Sequence, residues 1–132
     1  MQLEIGDSVY SYIKDLYGRR IWVRSSVERL TAKKAYFKNS STVFDREPKG
    51  TVEFQAGDVT CEVPKYEANS GLYGFCRDPQ LLQIIELDKK IGIIVDEYRI
   101  FQTSAMPLYR MSTEQINTLY DTAMALRKWI EL

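Results

Sequence analysis

The hydrophobic pattern of this sequence changes period once, at Asp78-Pro79, and that change limits the folds open to it. Ahead of the pair, apolar residues come in short alternating runs; behind it they recur in steps of three and four. Alternation is the signature of a half-buried strand, and the three-four step that of an amphipathic helix. The chain therefore reads as α+β, with strands first and helices after. The expected strands are residues 8–14, 21–30, 35–38, 42–44, 51–54 and 59–63. In the second, Ile21 and Val23 alternate with Trp22 and Arg24; in the third, Ala35 and Phe37 share one face and Tyr36 and Lys38 the other. Turn clusters such as Asn39-Ser40-Ser41 separate them. Five to six short strands about ten residues apart predict an antiparallel meander or a small barrel. Residues 65–77, with Asn69, Ser70, Gly71 and Gly74, read as a loop.

Asp78 is a good N-cap, and Pro79 suits the first helical position. Ile84, Leu87, Ile91, Ile94, Tyr98 and Phe101 then form one seam, which predicts a long helix. A second reading stays open at this point. Residues 91–95 are β-branched and contain Gly92, so a short helix over 79–87 followed by strands at 91–95 and 98–102 also fits. Residues 102–110 form a connector containing Pro107. Ser112 and Gln115 match a capping box, which opens a terminal helix with Ile116, Leu119, Tyr120, Ala123, Leu126 and Ile130 on one face. The 132 residues suit one domain, with a β-barrel part at 1–64, a loop at 65–77 and a helical part at 78–132. The seam is long enough that a single barrel need not cover it, so homo-oligomerisation through the C-terminal helices is expected.

The sequence has no histidine, which removes the usual base of a serine or cysteine triad and histidine acid–base chemistry. Cys61 and Cys76 are too few for a zinc site and read as free thiols. No metal, no cofactor and no catalytic residue is expected, and the chain reads as a binding protein, not an enzyme. No apolar run approaches the ~20 residues that span a bilayer, and the first residues lack the pattern of a secretory signal, so a cytoplasmic location is expected. Net charge is zero, but residues 1–50 carry ten Lys and Arg against six Asp and Glu, while the remainder carries eight against twelve.

The basic half holds the most suggestive group: Arg19, Arg20, Trp22, Arg24, Lys33, Lys34, Tyr36 and Lys38. If the second and third strands expose one face, Trp22 and Tyr36 flank a basic surface that could stack on bases and meet phosphates. The competing reading puts Trp22 in the core and leaves the charges as a solvated rim. Tyr66, Tyr73 and Phe75 offer either a second contact surface, with Tyr73 part of the binding group, or anchors that pin the loop.

The runs at 5–10, 26–39 and 43–47 carry a resemblance. Gly6-Asp7 before Val9-Tyr10, Val27-Glu28 before Leu30-Thr31, and Phe44-Asp45-Arg46-Glu47 resemble small SH3-like barrel proteins encoded by bacteriophages and their hosts. A C-terminal helix opened like Ser112-Thr113-Glu114-Gln115 often follows in these proteins. The resemblance spans about half the chain, and its motifs are signals of fold. It implies an SH3-like barrel with appended helices, and a phage or mobile-element accessory role such as countering host defence by stoichiometric binding. The expected partner is a host protein or nucleic acid met by the basic-aromatic face. The alternative is an oligomer that sequesters a nucleotide signal with the same residues.

Overall fold

The computed structural model describes residues 2–38 and 40–131, with side chains as far as Lys128. Asn39 and the side chain of Ile130 lie outside that set. Among the described residues eight strands come first: β1 Ser8–Lys14, β2 Arg20–Leu30, β3 Lys34–Phe37, β4 Val43–Asp45, β5 Thr51–Ala56, β6 Val59–Pro64, β7 Tyr66–Glu67 and β8 Tyr73–Cys76. The helices α1 Pro79–Glu97, α2 Met106–Tyr109 and α3 Thr113–Glu131 follow, with a 3-10 turn over Arg99–Gln102 between the first two. Six strands form one antiparallel sheet in the order β4-β3-β2-β1-β8-β7. A bridge between Phe44 and Ala68 brings its two ends together, and the amide of Asn69 donates to the carbonyl of Val43 at 3.0 Å. The result is a nearly closed, SH3-like barrel followed by helices, the α+β class expected.

The membership of the barrel differs from the expected run of consecutive strands. β5 and β6 pair only with each other, as a separate ribbon. Their place is taken by β7 and β8, from residues expected to be a loop. Asn69, Ser70 and Gly71 are the turn of this hairpin, and Tyr66 and Phe75 on either side are buried. Gly74 is required by packing: a Cβ there would lie 2.6 Å from Val9 Cγ1 and 2.7 Å from Phe44 Cε1. A glycine inside a short strand often marks such a close approach.

The sheet carries a core on each face. Inside the barrel lie Leu3, Val9, Val27, Ala35, Phe37, Phe44 and Tyr66. On the outer face, Tyr10, Tyr12, Trp22 and Phe75 meet the ribbon's Phe54, Ala56, Cys61 and Val63 and the seam of α1. β2 serves both cores because its side chains alternate, with Trp22 outward and Val27 inward. A bulge between Val27 and Arg29 breaks its register with β3.

Residues 79–97 are continuous helix, which settles the two readings of that segment. Asp78 caps it through Oδ1, accepting from the amides of Gln80 and Leu81 at 2.9 and 3.1 Å. Ile84, Leu87, Ile91 and Ile94 are buried, whereas Tyr98 and Phe101 lie beyond the helix and are half-buried. The seam is covered by the ribbon, the sheet and α3 of the same chain. The ground for expecting a second copy along it, an uncovered seam, is therefore not present. The capping box of α3 is formed: Gln115 donates its amide to Ser112 Oγ at 3.1 Å, and Ser112 donates its amide to Gln115 Oε1 at 3.0 Å. Pro107, expected in an irregular connector, opens the one-turn helix α2. Among the described residues no helix is long and apolar enough to cross a membrane.

Candidate binding surface

The expected basic-aromatic group divides in two. Arg19, Arg20 and Trp22 point into the junction between barrel and helix. Arg20 grips the carboxylate of Asp88 on α1 with both ends of its fork, Nε to Oδ2 at 2.8 Å and Nη2 to Oδ1 at 3.0 Å. Trp22 Nε1 donates to Asp88 Oδ2 at 2.5 Å, and the hydroxyl of Tyr109, which accepts from the Arg20 amide at 3.1 Å, also favours the charged carboxylate. Asp88 thus meets three charge-assisted donors, and both of its oxygens are engaged. Its side chain has no exposure to solvent. The Arg20 guanidinium also lies 4.8 Å from the Tyr109 ring centroid and 5.4 Å from that of Phe54. Burial pushes the Asp88 carboxyl upward, against Arg20, Trp22 and Tyr109, which favour its charged form. Burial and the Asp88 charge push the Tyr109 phenol up to about 12. Removing one partner from such a group strands a buried charge, at a cost of about 3–5 kcal/mol.

Arg19 makes a second tie. It pairs with Asp15 in its own hairpin and crosses to α1, donating to the Gly92 carbonyl at 2.6 Å and to Asp96 Oδ1 at 2.9 Å. Trp22 packs on Tyr12, Phe54 and Phe75 with ring centroids 4.9, 5.5 and 6.3 Å away. These three residues hold the β1–β2 hairpin on α1.

The remaining members are dispersed. Lys34 pairs with Asp45 across β3 and β4, and Lys33 is exposed in the turn before it. Tyr36 lies under Arg29, with the guanidinium 4.0 Å from its ring centroid. Tyr73 lies under Lys65 Nζ at 4.6 Å. Arg24 and Lys38 are exposed. Trp22 and Tyr36 therefore do not flank one surface. Cys61 and Cys76 are free thiols, both pushed upward by burial, which opposes thiolate chemistry.

A different surface comes from the other face of the same hairpin. β1 and β2 are paired from Ser8–Ser26 to Lys14–Arg20, but β8 reaches only Val9 and Tyr10, and β3 begins only at Val27. The outer part of the hairpin therefore projects beyond the barrel wall. Its helix-side face is covered through Tyr12, Arg20 and Trp22. On its barrel-side face Ile13, Ile21 and Val23 stand 62%, 43% and 58% exposed. These residues enter an open cleft of about 240 Å³ whose other walls include Phe37, Thr42 and Leu72. Sequence reasoning missed it because Ile21 and Val23 look like the buried half of an alternating strand. The signal lay in β1: Tyr10 and Tyr12 share their face with Trp22 and make that face the covered one. Among the described residues no group of three or more histidine, cysteine or acidic side chains could hold a metal ion. In comparison with known proteins, no family model matches this chain, and no curated protein and no solved structure matches it.

Proposed function

We propose that the chain is a non-catalytic binding protein that takes a protein partner in stoichiometric fashion at the open mouth of its barrel. The observation that carries this reading is the cluster of Ile13, Ile21 and Val23, exposed side by side on one paired strand face and continuous with the cleft. Contiguous exposed apolar surface on a small protein commonly marks an interaction site. The internal pairing of Arg19 and Arg20 supports a protein partner over a nucleic acid, since these cations are neutralised by Asp15, Asp88 and Asp96. The buried carboxylate is likewise taken up by the chain's own donors, which supports a structural role for it over a catalytic one. A host protein is the kind of partner the resemblance to phage-type barrels implies.

The test is capture from a bacterial lysate with wild type, Val23→Asp and Lys34→Glu, each first checked for an unchanged melting temperature. Proteins retained by wild type and Lys34→Glu but lost from Val23→Asp are the expected outcome. Loss from Lys34→Glu with retention by Val23→Asp would move the site to the basic edge. Arg20→Glu is unsuitable as a probe of binding, because it places two carboxylates together in the buried junction.

A further inference from the structure

The cleft has a free strand along one side. β3 runs beside β2 only as far as Val27, while β2 continues back to Arg20. Antiparallel strands direct the backbone groups of alternate residues to opposite edges. Asp15 donates its amide to the Arg19 carbonyl, and Val27 donates its amide to the Asp7 carbonyl, so the odd residues of β2 face β1. The even residues face away. The Arg20 amide shows this directly, leaving the sheet to reach the Tyr109 hydroxyl at 3.1 Å. Trp22 and Arg24 follow on the same edge with no strand beside them among the described residues, whereas Ser26 lies opposite Lys38, where the pairing with β3 begins. An open edge of this kind is a template for another strand.

Side-chain chemistry on the two faces narrows the occupant. A strand laid along this edge in the direction of β3 sends every second side chain into the cleft, beside Val23 and opposite Phe37 and Leu72. Its other side chains emerge on the helix-side face, next to Arg24. Arg24 is exposed, and no acidic group is paired with it among the described residues. Lys38, also exposed, stands where β3 ends. The charge along this edge is therefore positive, and opposite charges side by side on neighbouring strands stabilise pairing.

We propose that the partner contributes an extended segment that adds to β2 as an antiparallel strand over Trp22–Arg24, with alternate apolar and acidic residues. The apolar residues fill the cleft and an acidic residue meets Arg24. This rests on the barrel mouth being the binding site, and adds the mode of binding and the chemistry of the segment. Main-chain hydrogen bonds give such complexes their affinity, and alternate side-chain pockets their specificity.

The acetylated, amidated peptide Glu-Val-Glu-Val-Glu-Val-Glu is the probe, titrated into the isotopically labelled full chain. The expected result is saturable movement and slowed exchange of the Trp22 and Arg24 amides. The lysine counterpart, Lys-Val-Lys-Val-Lys-Val-Lys, binds at least tenfold more weakly, and Arg24→Glu reverses the preference. In an antiparallel pair the residues beside Arg24 turn their own amides toward β2, and these are the glutamates. Methylation of the glutamate amides therefore abolishes binding, whereas methylation of the valine amides leaves it. Unmoved edge amides at millimolar peptide, equal binding of both methylated forms, or equal binding of the lysine peptide would each overturn the proposal. So would concentration-dependent movement of these amides without peptide, which would assign the edge to a second copy. If Val23→Asp still loses captured proteins in that event, the barrel mouth stands as the site and only the strand-addition mode falls.

Discussion

Asp88 shows how one buried group can decide the fate of several others. Its three donors come from Arg20 and Trp22 of β2, with Tyr109 of α2 beside them, so barrel and helices share one ion pair. The consequence for pH follows from Tyr109. Its phenol titrates near 10 in an unfolded chain and is pushed up to about 12 here. A group whose folded pKa is raised stabilises the fold below its unfolded value, and that contribution disappears as pH climbs through the folded one. Wild type should lose about 2–3 kcal/mol of unfolding free energy between pH 10 and 12 from this residue, at 1.36 kcal/mol per unit. Tyr109→Phe should be less stable at neutral pH and show a shallower alkaline decline, read by urea unfolding at stepped pH. An unchanged slope would remove Tyr109 from the account. None of this pairing was legible in the sequence. Arg20 and Asp88 lie in different halves of the chain, and an arginine beside a tryptophan reads equally well as a nucleic-acid contact.

Elements were more legible where the local pattern and the tertiary environment agree. The capping box at Ser112 and the Asp78 cap appeared as their side chains imply, since capping is settled within four residues. The long helix won over the strand reading of 91–95 because Ile91 and Ile94 meet the core on one face, which offsets the low propensity of their neighbours. The hairpin of β7 and β8 reads as a loop in the sequence for the opposite reason. Its glycines signal flexibility in isolation, but Gly74 is there to let Val9 and Phe44 approach. Gly74→Ala should therefore destabilise the protein by about 1–3 kcal/mol through overpacking. The measurement is the denaturant midpoint at unchanged slope, and wild-type stability in that variant would show that the barrel tolerates a methyl group at its seam.

At the scale of the whole molecule, β1 and β2 serve two cores at once. One face closes the barrel around Val9 and Val27, and the other carries Tyr12 and Trp22 against the helices. Neither core survives loss of the shared strands, so barrel and helices should unfold together. In a Trp129→Phe background, the fluorescence of Trp22 and the far-ultraviolet circular dichroism should report one coincident transition, the mark of two-state behaviour. Helical signal outlasting the Trp22 transition would show the halves to be separable. The class of the fold was readable from the change of period at Asp78. Which strands close the barrel was not, because pairing between β1 and β8 depends on contacts between residues far apart in the chain.

That distant pairing also orders events during synthesis. Val9 and Tyr10 leave the ribosome early, whereas their partners Cys76 and Phe75 come only after six other strands have been made. Through that interval β1 has an open edge and the barrel lacks its last wall. The nascent chain is thus most exposed to mispairing just before β8 appears, and a pause in translation once Cys76 has emerged from the ribosome would favour correct closure.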